Sequence, residues 1–539
     1  LGLPSSLAEV GSVLGIEQQK MTEGKALIKF FCTPYDAIDG VPQFHSPEDY
    51  PEKWEIFKAY NKRDVEAEME IDKKLSRFPV PDFLWEEFYL DQEINDRGVA
   101  LDMELVENAI QMDTQSRNEL TAAIQRLTAL ENPNSVQQMK AWLADNGLET
   151  ETLGKKAVAE LLQDCPPELR EVLLLRQQLA KSSVKKYIAM KNAVCADGRA
   201  RGMFMFYGAN RTGRFSGRLI QLQNLPQNKM PDLGVARDLV RSGDYEQVKL
   251  LYDDVPDTLS QLIRTAFIPA PGYKFVVSDF AAIEARVIAW LAGEAWRQKV
   301  FLEGGDIYCA SASAMFHVPV VKHGVNGHLR QRGKVAELAL GYGGSVGALK
   351  AMGALEMGVP EEELKPLVDA WRAANPNIVA FWNTLDRAAR AIIRRKTSAR
   401  IGKVALYWQD DKMFMRLPSG RNLCYQSPHF TENRFGSDAI SYYAPNATGQ
   451  MVVQETFGGK LAENATQAIA RDILAHALLT LEKNGYPVVF HVHDESVIEK
   501  PIGQGSLEEA CRLMAIAPDW AEDLPLRADG YECAYYQKS

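Results

Sequence analysis

What this sequence has little of narrows its class before any motif is read. Only 7 of its 539 residues are cysteine, scattered without paired spacing. That excludes a disulfide-built scaffold, fits a reducing, cytoplasmic compartment, and leaves no zinc-type Cys/His cluster. No run approaches the ~18–20 apolar residues of a membrane span, and no basic-then-apolar start marks a signal peptide. An excess of positive charge is missing too: 61 Lys and Arg stand against 71 Asp and Glu, a net charge of −10. An all-over nucleic-acid binder is thereby disfavoured, so any such contact must be made by local basic surfaces. What is present is ordinary for a globular chain: 46% hydrophobic and 24% charged residues, with length for roughly three to four domains. The chain opens on Leu1 rather than Met, so its natural beginning is expected upstream.

The most informative stretch is Tyr486–Glu499. Val488-Val489-Phe490 and Val497-Ile498 are strand formers around a polar centre, which predicts a β-hairpin with His493, Asp494 and Glu495 at its tip. Adjacent carboxylates on a half-buried hairpin repel each other and lose solvation, and a cation keeps both ionised. The plainer alternative, a turn pair, weakens if a second strand-borne carboxylate exists. Asp279 is that residue. Lys274–Ser278 reads as a strand after the turn Pro271-Gly272, and Ala281–Leu291 reads as a helix ending at Gly293. Asp279 sits at the handover, either capping the helix or pairing with Asp494 to hold two divalent cations for phosphoryl transfer. Arg330 and Lys334 lie one helical turn apart on a face continuing through Leu338 to Tyr342, before Gly343-Gly344. Two cations at that spacing repel, which points to an anion shared between them, or else to solvated surface charge.

These segments resemble the family A DNA polymerases, the bacterial polymerase I type and their phage relatives. Val277–Arg286 is similar to motif A, Arg330-x3-Lys334-x7-Tyr342-Gly343 to motif B, and His493-Asp494-Glu495 to motif C. The resemblance implies an α+β, multi-domain right-hand polymerase with an antiparallel-sheet palm, a helical thumb and helical fingers. It implies an exonuclease-like remnant at residues 1–80, the thumb at 81–200, the first part of the palm at 201–292, the fingers at 293–446 and the rest of the palm at 447–539. It also implies site roles. Asp279, Asp494 and the Phe280 carbonyl would hold two Mg²⁺, Glu495 would shape their site, and Lys334 would protonate pyrophosphate. Arg330, Lys334, Glu284, Leu338, Tyr342 and Tyr308 would face the incoming dNTP. Arg214, Gln223, Asn224, Gln467, His493 and Arg286 would face primer–template DNA. Glu284 would bar a ribose 2′-hydroxyl, and Leu338 stands where the family usually has an aromatic residue. Tyr308 stands where it usually has histidine.

Tyr60 and Asp64, on a helix expected from about Pro51 to Leu75, resemble the third proofreading-exonuclease motif. No strand-borne Asp-x-Glu precedes them, so Asp64 is expected to be an orphan ligand and the chain to lack proofreading. Lys181–Tyr187 mixes basic and hydroxyl residues as a thumb that grips phosphates would. Arg387, Arg390, Arg394, Arg395, Lys396 and Arg400 form a basic stretch suited to template backbone. Met415–Arg421 resembles a phage-branch segment without an evident chemical role. The resemblance implies a monomeric, phage-type replicative DNA polymerase in a bacterial or phage-infected cytoplasm; a helicase or processivity partner is not specified. Two rivals stand beside it. A single-subunit RNA polymerase would be expected to place Ser after the hairpin Asp, where this chain has Glu495. A non-catalytic primer–template binder would be expected to have lost one of Asp279, Asp494, Arg330 or Lys334.

Overall fold

The computed structural model describes residues 2–4, 6–16, 24–181, 183–432, 436–446 and 448–538. Near the start, the helix Pro51–Leu75 begins with proline in its first turn and ends on Lys73 and Lys74, which suits the helix dipole. Ala67 and Ile71 bury against Ile16, and Phe31, Trp54 and Phe57 form an aromatic cluster beside Tyr60. A short hairpin, Asp36–Ile38 with Val41–Gln43, interrupts this helical region. The segment that follows this helix is tied down: Arg77 donates to Asp410 at 2.7 Å, and Phe78 packs against Phe414.

Residues 82–193 are helical apart from the short strand Val99–Leu101, beginning with Asp82–Arg97 (α1). Ser135 caps the helix after the Asn132–Ser135 turn, accepting from the Gln138 amide. The outer part of this bundle has its own core, including Ile124, Met139, Leu143 and Leu173. Phe204–Ala209 (β1) and Arg214–Gly217 (β2) then pair as an irregular hairpin whose register shifts between Met205 and Ala209.

Tyr273–Phe280 (β3) is flanked on both sides in a four-stranded antiparallel sheet. Phe275, Val276 and Val277 are fully buried; a central strand covered on both faces reads as a continuous apolar run. Ala282, at φ +53°, turns the chain into Ile283–Ala292 (α2), which Gly293 ends at φ +70°. Asp279 is therefore inside a strand and does not cap the helix. Ile307–Phe316 (α3) and Leu329–Leu340 (α4) follow. The second of these stops at Gly341, so Tyr342 lies past its end and does not continue its face.

The helical insertion expected to reach about Asn446 ends at Arg395. From Ser398 to Thr456 the chain instead forms a six-stranded antiparallel meander, each strand beside its sequence neighbour. Short apolar runs within Val404–Gln409 and Lys412–Arg416 supply two of the strands. Asp410 and Asp411, at φ +48° and +57°, make the two-residue turn that hairpin twist favours. Gly458–Lys483 (α5) is buried on most of its circumference, with Asn464, Arg471 and Asp472 among its buried residues. Val488–Val492 (β4), Glu495–Pro501 (β5) and Ala528–Cys533 (β6) complete the central sheet, in the order β4-β5-β3-β6. The expected hairpin is thus β4–β5.

Candidate active site

The sheet register brings the carboxylates together. Glu495 is paired across from Asp279, and Asp494 occupies the β4–β5 turn beside His493, whose φ is +57°. The Phe280 amide donates to the Asp494 carbonyl at 3.2 Å, fastening that turn to the end of β3. Burial, and then the Asp279 carboxylate, push the Asp494 carboxyl up to about 7. One Asp279 oxygen, Oδ1, is buried without a hydrogen-bond partner. The other accepts from Lys538 Nζ at 3.2 Å, and the same ammonium reaches Glu495 Oε2 at 3.1 Å. Glu495 is 1% exposed and also accepts from the Tyr536 hydroxyl at 2.6 Å. Burial raises its carboxyl as well, with Lys538 opposing.

This donor set fits Mg²⁺ in kind. Asp279, with its unsatisfied oxygen, already shares a cationic side chain with Glu495, and the Asp494 carboxyl is close enough to Asp279 to be raised by its charge. Among the described residues no three Cys, His, Asp or Glu side chains converge as a complete metal cage. Mg²⁺ is usually held by one or two carboxylates, with water and substrate phosphate oxygens completing the shell.

Beside the carboxylates opens a cavity of about 360 Å³. Glu284 on α2 lines it, held by an ion pair with Arg214 and by the Tyr342 hydroxyl at 3.0 Å. From α4, Leu338 enters the cavity wall and is 52% exposed. Arg330 is paired with Asp306 at 2.8 Å and lies over the Tyr308 ring. Asp306 in turn caps α3, accepting from the Tyr308 and Cys309 amides. Among the described residues Lys334 has no ion-pair partner, and it is half-buried. The structure therefore groups Asp494, Glu284, Arg214, Tyr308, Leu338 and Tyr342 around one space, with Asp279 and Glu495 paired at the end of the sheet beside Asp494.

Other expected residues fare differently. Gln223 lines the cavity with both amide atoms buried and unpartnered, and its carbonyl lies 3.1 Å from His493 Nε2. Asn224 is exposed, with a long bond to Gln221. Gln467 sits on α5, bonded to Glu463. Arg286 is a correction: it is 4% exposed and its donors are spent on the Ala281 and Pro525 carbonyls, so it braces the interior and faces no DNA. Burial pulls its guanidinium down to about 10. Lys181 and Lys186 are likewise used internally, on Asp257 and on the Ile220 carbonyl, whereas Lys185 is exposed; Ser182 lies outside the described residues. Tyr60 is buried in aromatic packing and Asp64 is half-buried on the same helix. In the basic stretch, Arg390 pairs with Asp386, Arg394 approaches Asp438, and Arg395 and Lys396 are exposed.

Lys538 was invisible to sequence reasoning, since nothing in the last residues of a chain signals where they thread. Tyr536 explains the threading: it is fully buried, and its amide donates to the Phe267 carbonyl. His491 also escaped notice. It is buried against Phe204, and burial pushes its imidazole down to about 3, so it stays neutral.

Residues 103–412 match DNA polymerase family A. The chain is 49% identical to the DNA polymerase of Bacillus phage SP02 over 544 aligned positions, covering all of this chain and 84% of that protein. It is 25% identical to the thermostable DNA polymerase I of Thermus thermophilus, covering 80% of this chain but 45% of that enzyme. The fold is similar to the POL domain of Pol1 from M. smegmatis, solved with DNA primer-template and dNTP. That match has a TM-score of 0.59 and 18% identity, and it covers 95% of this chain and 81% of that one. With a family match over more than half its length and a phage relative at 49% identity over all of it, the chain belongs to DNA polymerase family A, the DNA-directed DNA polymerases.

Proposed function

We propose that this chain extends a DNA primer 3′ end along a DNA template, as a phage-type replicative enzyme, with Asp279 and Asp494 holding two Mg²⁺ ions. The observation that carries the reading is the meeting of those carboxylates at the end of the central sheet, Asp279 with an orphaned buried oxygen and Asp494 lining the cavity that Leu338 of α4 also walls. The phage relative and the fold likeness to a polymerase bound to primer-template support it. Bound there, the ions would lower the pKa of the primer 3′-hydroxyl and stabilise the pyrophosphate that leaves.

The remaining work falls to the side chains. Arg330 and Lys334 neutralise the triphosphate, and Lys334, which has no carboxylate partner among the described residues, supplies a proton to the pyrophosphate. Glu495, shielded by Tyr536 and Lys538, fixes the sheet edge from which Asp494 projects. Glu284, clamped by Arg214 and Tyr342, closes the floor under the sugar and excludes a 2′-hydroxyl. Leu338 packs on the incoming base, and Tyr308 donates to its phosphates. Arg214, Gln223, Asn224, Gln467 and His493 contact the primer–template near its junction through minor-groove acceptors, which every base pair presents. In this reading the central sheet is the palm, residues 82–193 the thumb, and 295–395 the fingers; the enzyme acts as a monomer.

The test is extension of a labelled primer on a DNA template with Mg²⁺, using dNTPs in one reaction and rNTPs in another. Efficient dNTP addition with weak rNTP addition is expected. Preference for rNTPs would favour the RNA polymerase reading, and tight primer–template binding without extension would favour the non-catalytic binder.

A further inference from the structure

Met415–Arg421 ends in a tight turn whose product is one buried cation. The Leu417 amide donates to the Arg421 carbonyl at 2.8 Å, and Gly420 adopts φ +88°. Arg421 is 2% exposed. Its Nε donates to Asp472 Oδ1 at 2.8 Å, one terminal nitrogen to the Tyr207 hydroxyl, and the other to the Thr212 and Ala468 carbonyls at 2.8 and 3.0 Å. Ser419, in the same turn, donates to the second Asp472 oxygen at 2.6 Å. The next-door Arg471 donates Nε to the Gly213 carbonyl at 3.0 Å and pairs with Glu87 on α1.

Two buried guanidinium groups therefore grip consecutive carbonyls, Thr212 and Gly213, at the tip of the β1–β2 hairpin. That tip is not relaxed on its own. Tyr207 holds φ +59°, a left-handed conformation unusual for a non-glycine residue, and its hydroxyl is the one bonded to Arg421. Gly213 is at φ +76°, and a Cβ there would collide with Arg421 and the Tyr207 ring. The very next residue is Arg214, which enters the active-site cavity and pairs with Glu284. Apolar residues can fill a buried ion-pair site with equal or better stability. A planar fork that satisfies several acceptors at once fixes geometry as well.

We propose that Arg421 is a positioning residue for primer–template binding: by fixing Tyr207 and the Thr212–Gly213 carbonyls, it sets where Arg214 meets the DNA. This rests on the reading that Arg214 contacts primer–template. It also gives the Leu417–Arg421 turn a purpose that its sequence alone does not reveal.

The test is a mutant cycle on the full chain, read as the Kd for a fluorescent primer–template by anisotropy at fixed salt. Arg214→Met alone should weaken binding about tenfold, the scale of one lost hydrogen bond to a charged group. Arg421→Met with Asp472→Leu removes both charges together, so neither is left buried alone. It should weaken binding by a similar factor, with the loss in extension appearing in the KM for primer–template rather than in kcat. Adding Arg214→Met to that pair should cost no more than about a further twofold, because coupled residues are non-additive. Independent, multiplying losses would overturn the proposal, as would unchanged binding by the Arg421→Met, Asp472→Leu protein. If Arg214→Met alone leaves binding unchanged, the primer–template role of Arg214 falls. Any loss then seen with Arg421→Met, Asp472→Leu would show that Arg421 acts by another route, which also overturns the proposal. Should that protein fail to fold, Gly213→Ala, whose Cβ would push the β1–β2 hairpin tip off Arg421 and Tyr207 without removing a charge, takes its place in the cycle under the same criteria.

Discussion

Replacing Asp494 with asparagine should stabilise the metal-free enzyme, and the gain should grow with pH. The Asp494 carboxyl is pushed from an ordinary 3.8 up to about 7 by burial and by Asp279. An acid raised on folding holds its proton in the native state after the unfolded chain has lost it. Its contribution to stability is complete below pH 3.8, declines as pH rises, and is lost once pH passes about 7. Asparagine cannot ionise, so Asp494→Asn escapes that decline. Between pH 5.5 and 8.5 the parent loses the part of the shift from 5.5 to about 7. At about 1.4 kcal/mol per unit that is about 2 kcal/mol as a ceiling, lowered by the water and the neighbouring carboxylate that share the site. For a chain of this length, an unfolding entropy of about 2.1 cal/mol/K per residue turns that into a Tm gap widening by at most about 2 °C. The assay is thermal unfolding in EDTA at several pH values, followed by Mg²⁺ addition. Mg²⁺ should raise the parent's Tm more than that of Asp494→Asn at pH 8.5. A gap that is constant with pH, or that narrows as pH rises, would refute the reasoning.

Three further outcomes follow from the same geometry. Glu284→Ala removes the clamped carboxylate under the sugar and should raise ribonucleotide incorporation relative to deoxynucleotide by about tenfold or more, measured by single-nucleotide extension. Leu338→Tyr should change the ratio of dideoxynucleotide to deoxynucleotide incorporation; an unchanged ratio would show that this exposed cavity position does not sense the sugar. Lys538→Met leaves Asp279 and Glu495 without their shared ammonium, so the metal-free protein should melt earlier and gain more in Tm from Mn²⁺ than the parent does. An equal or smaller gain would mean that Lys538 does not balance the site.

The parts of the site that were legible in sequence are those built from local pattern. Pro271-Gly272 and the apolar run after it announced β3, Gly293 announced the end of α2, and two Val/Ile-rich runs around His493–Glu495 announced the β4–β5 hairpin. Arg286 could have been placed correctly from the same information. Two residues along a helix is about 200° of rotation, so a helix that turns Glu284 toward the cavity turns Arg286 away. The meander from Ser398 to Thr456 was also written in short apolar runs and an Asp-Asp turn, but it follows a strongly helical basic stretch whose pattern was carried too far. Arg421 with Asp472, and Lys538 with Asp279, were not legible. Those partners are 51 and 259 residues apart, and only the packed chain brings them into contact.

The central claim is that Asp279 and Asp494 form the catalytic metal site of a DNA-templated DNA polymerase. It is tested most directly by primer extension with Mg²⁺ and dNTPs, comparing the parent with Asp279→Ala and Asp494→Ala while primer–template binding is measured on all three. Extension by the parent, with both variants still binding DNA but adding no nucleotide, is the predicted result. Extension by either variant at the parent's rate would contradict it.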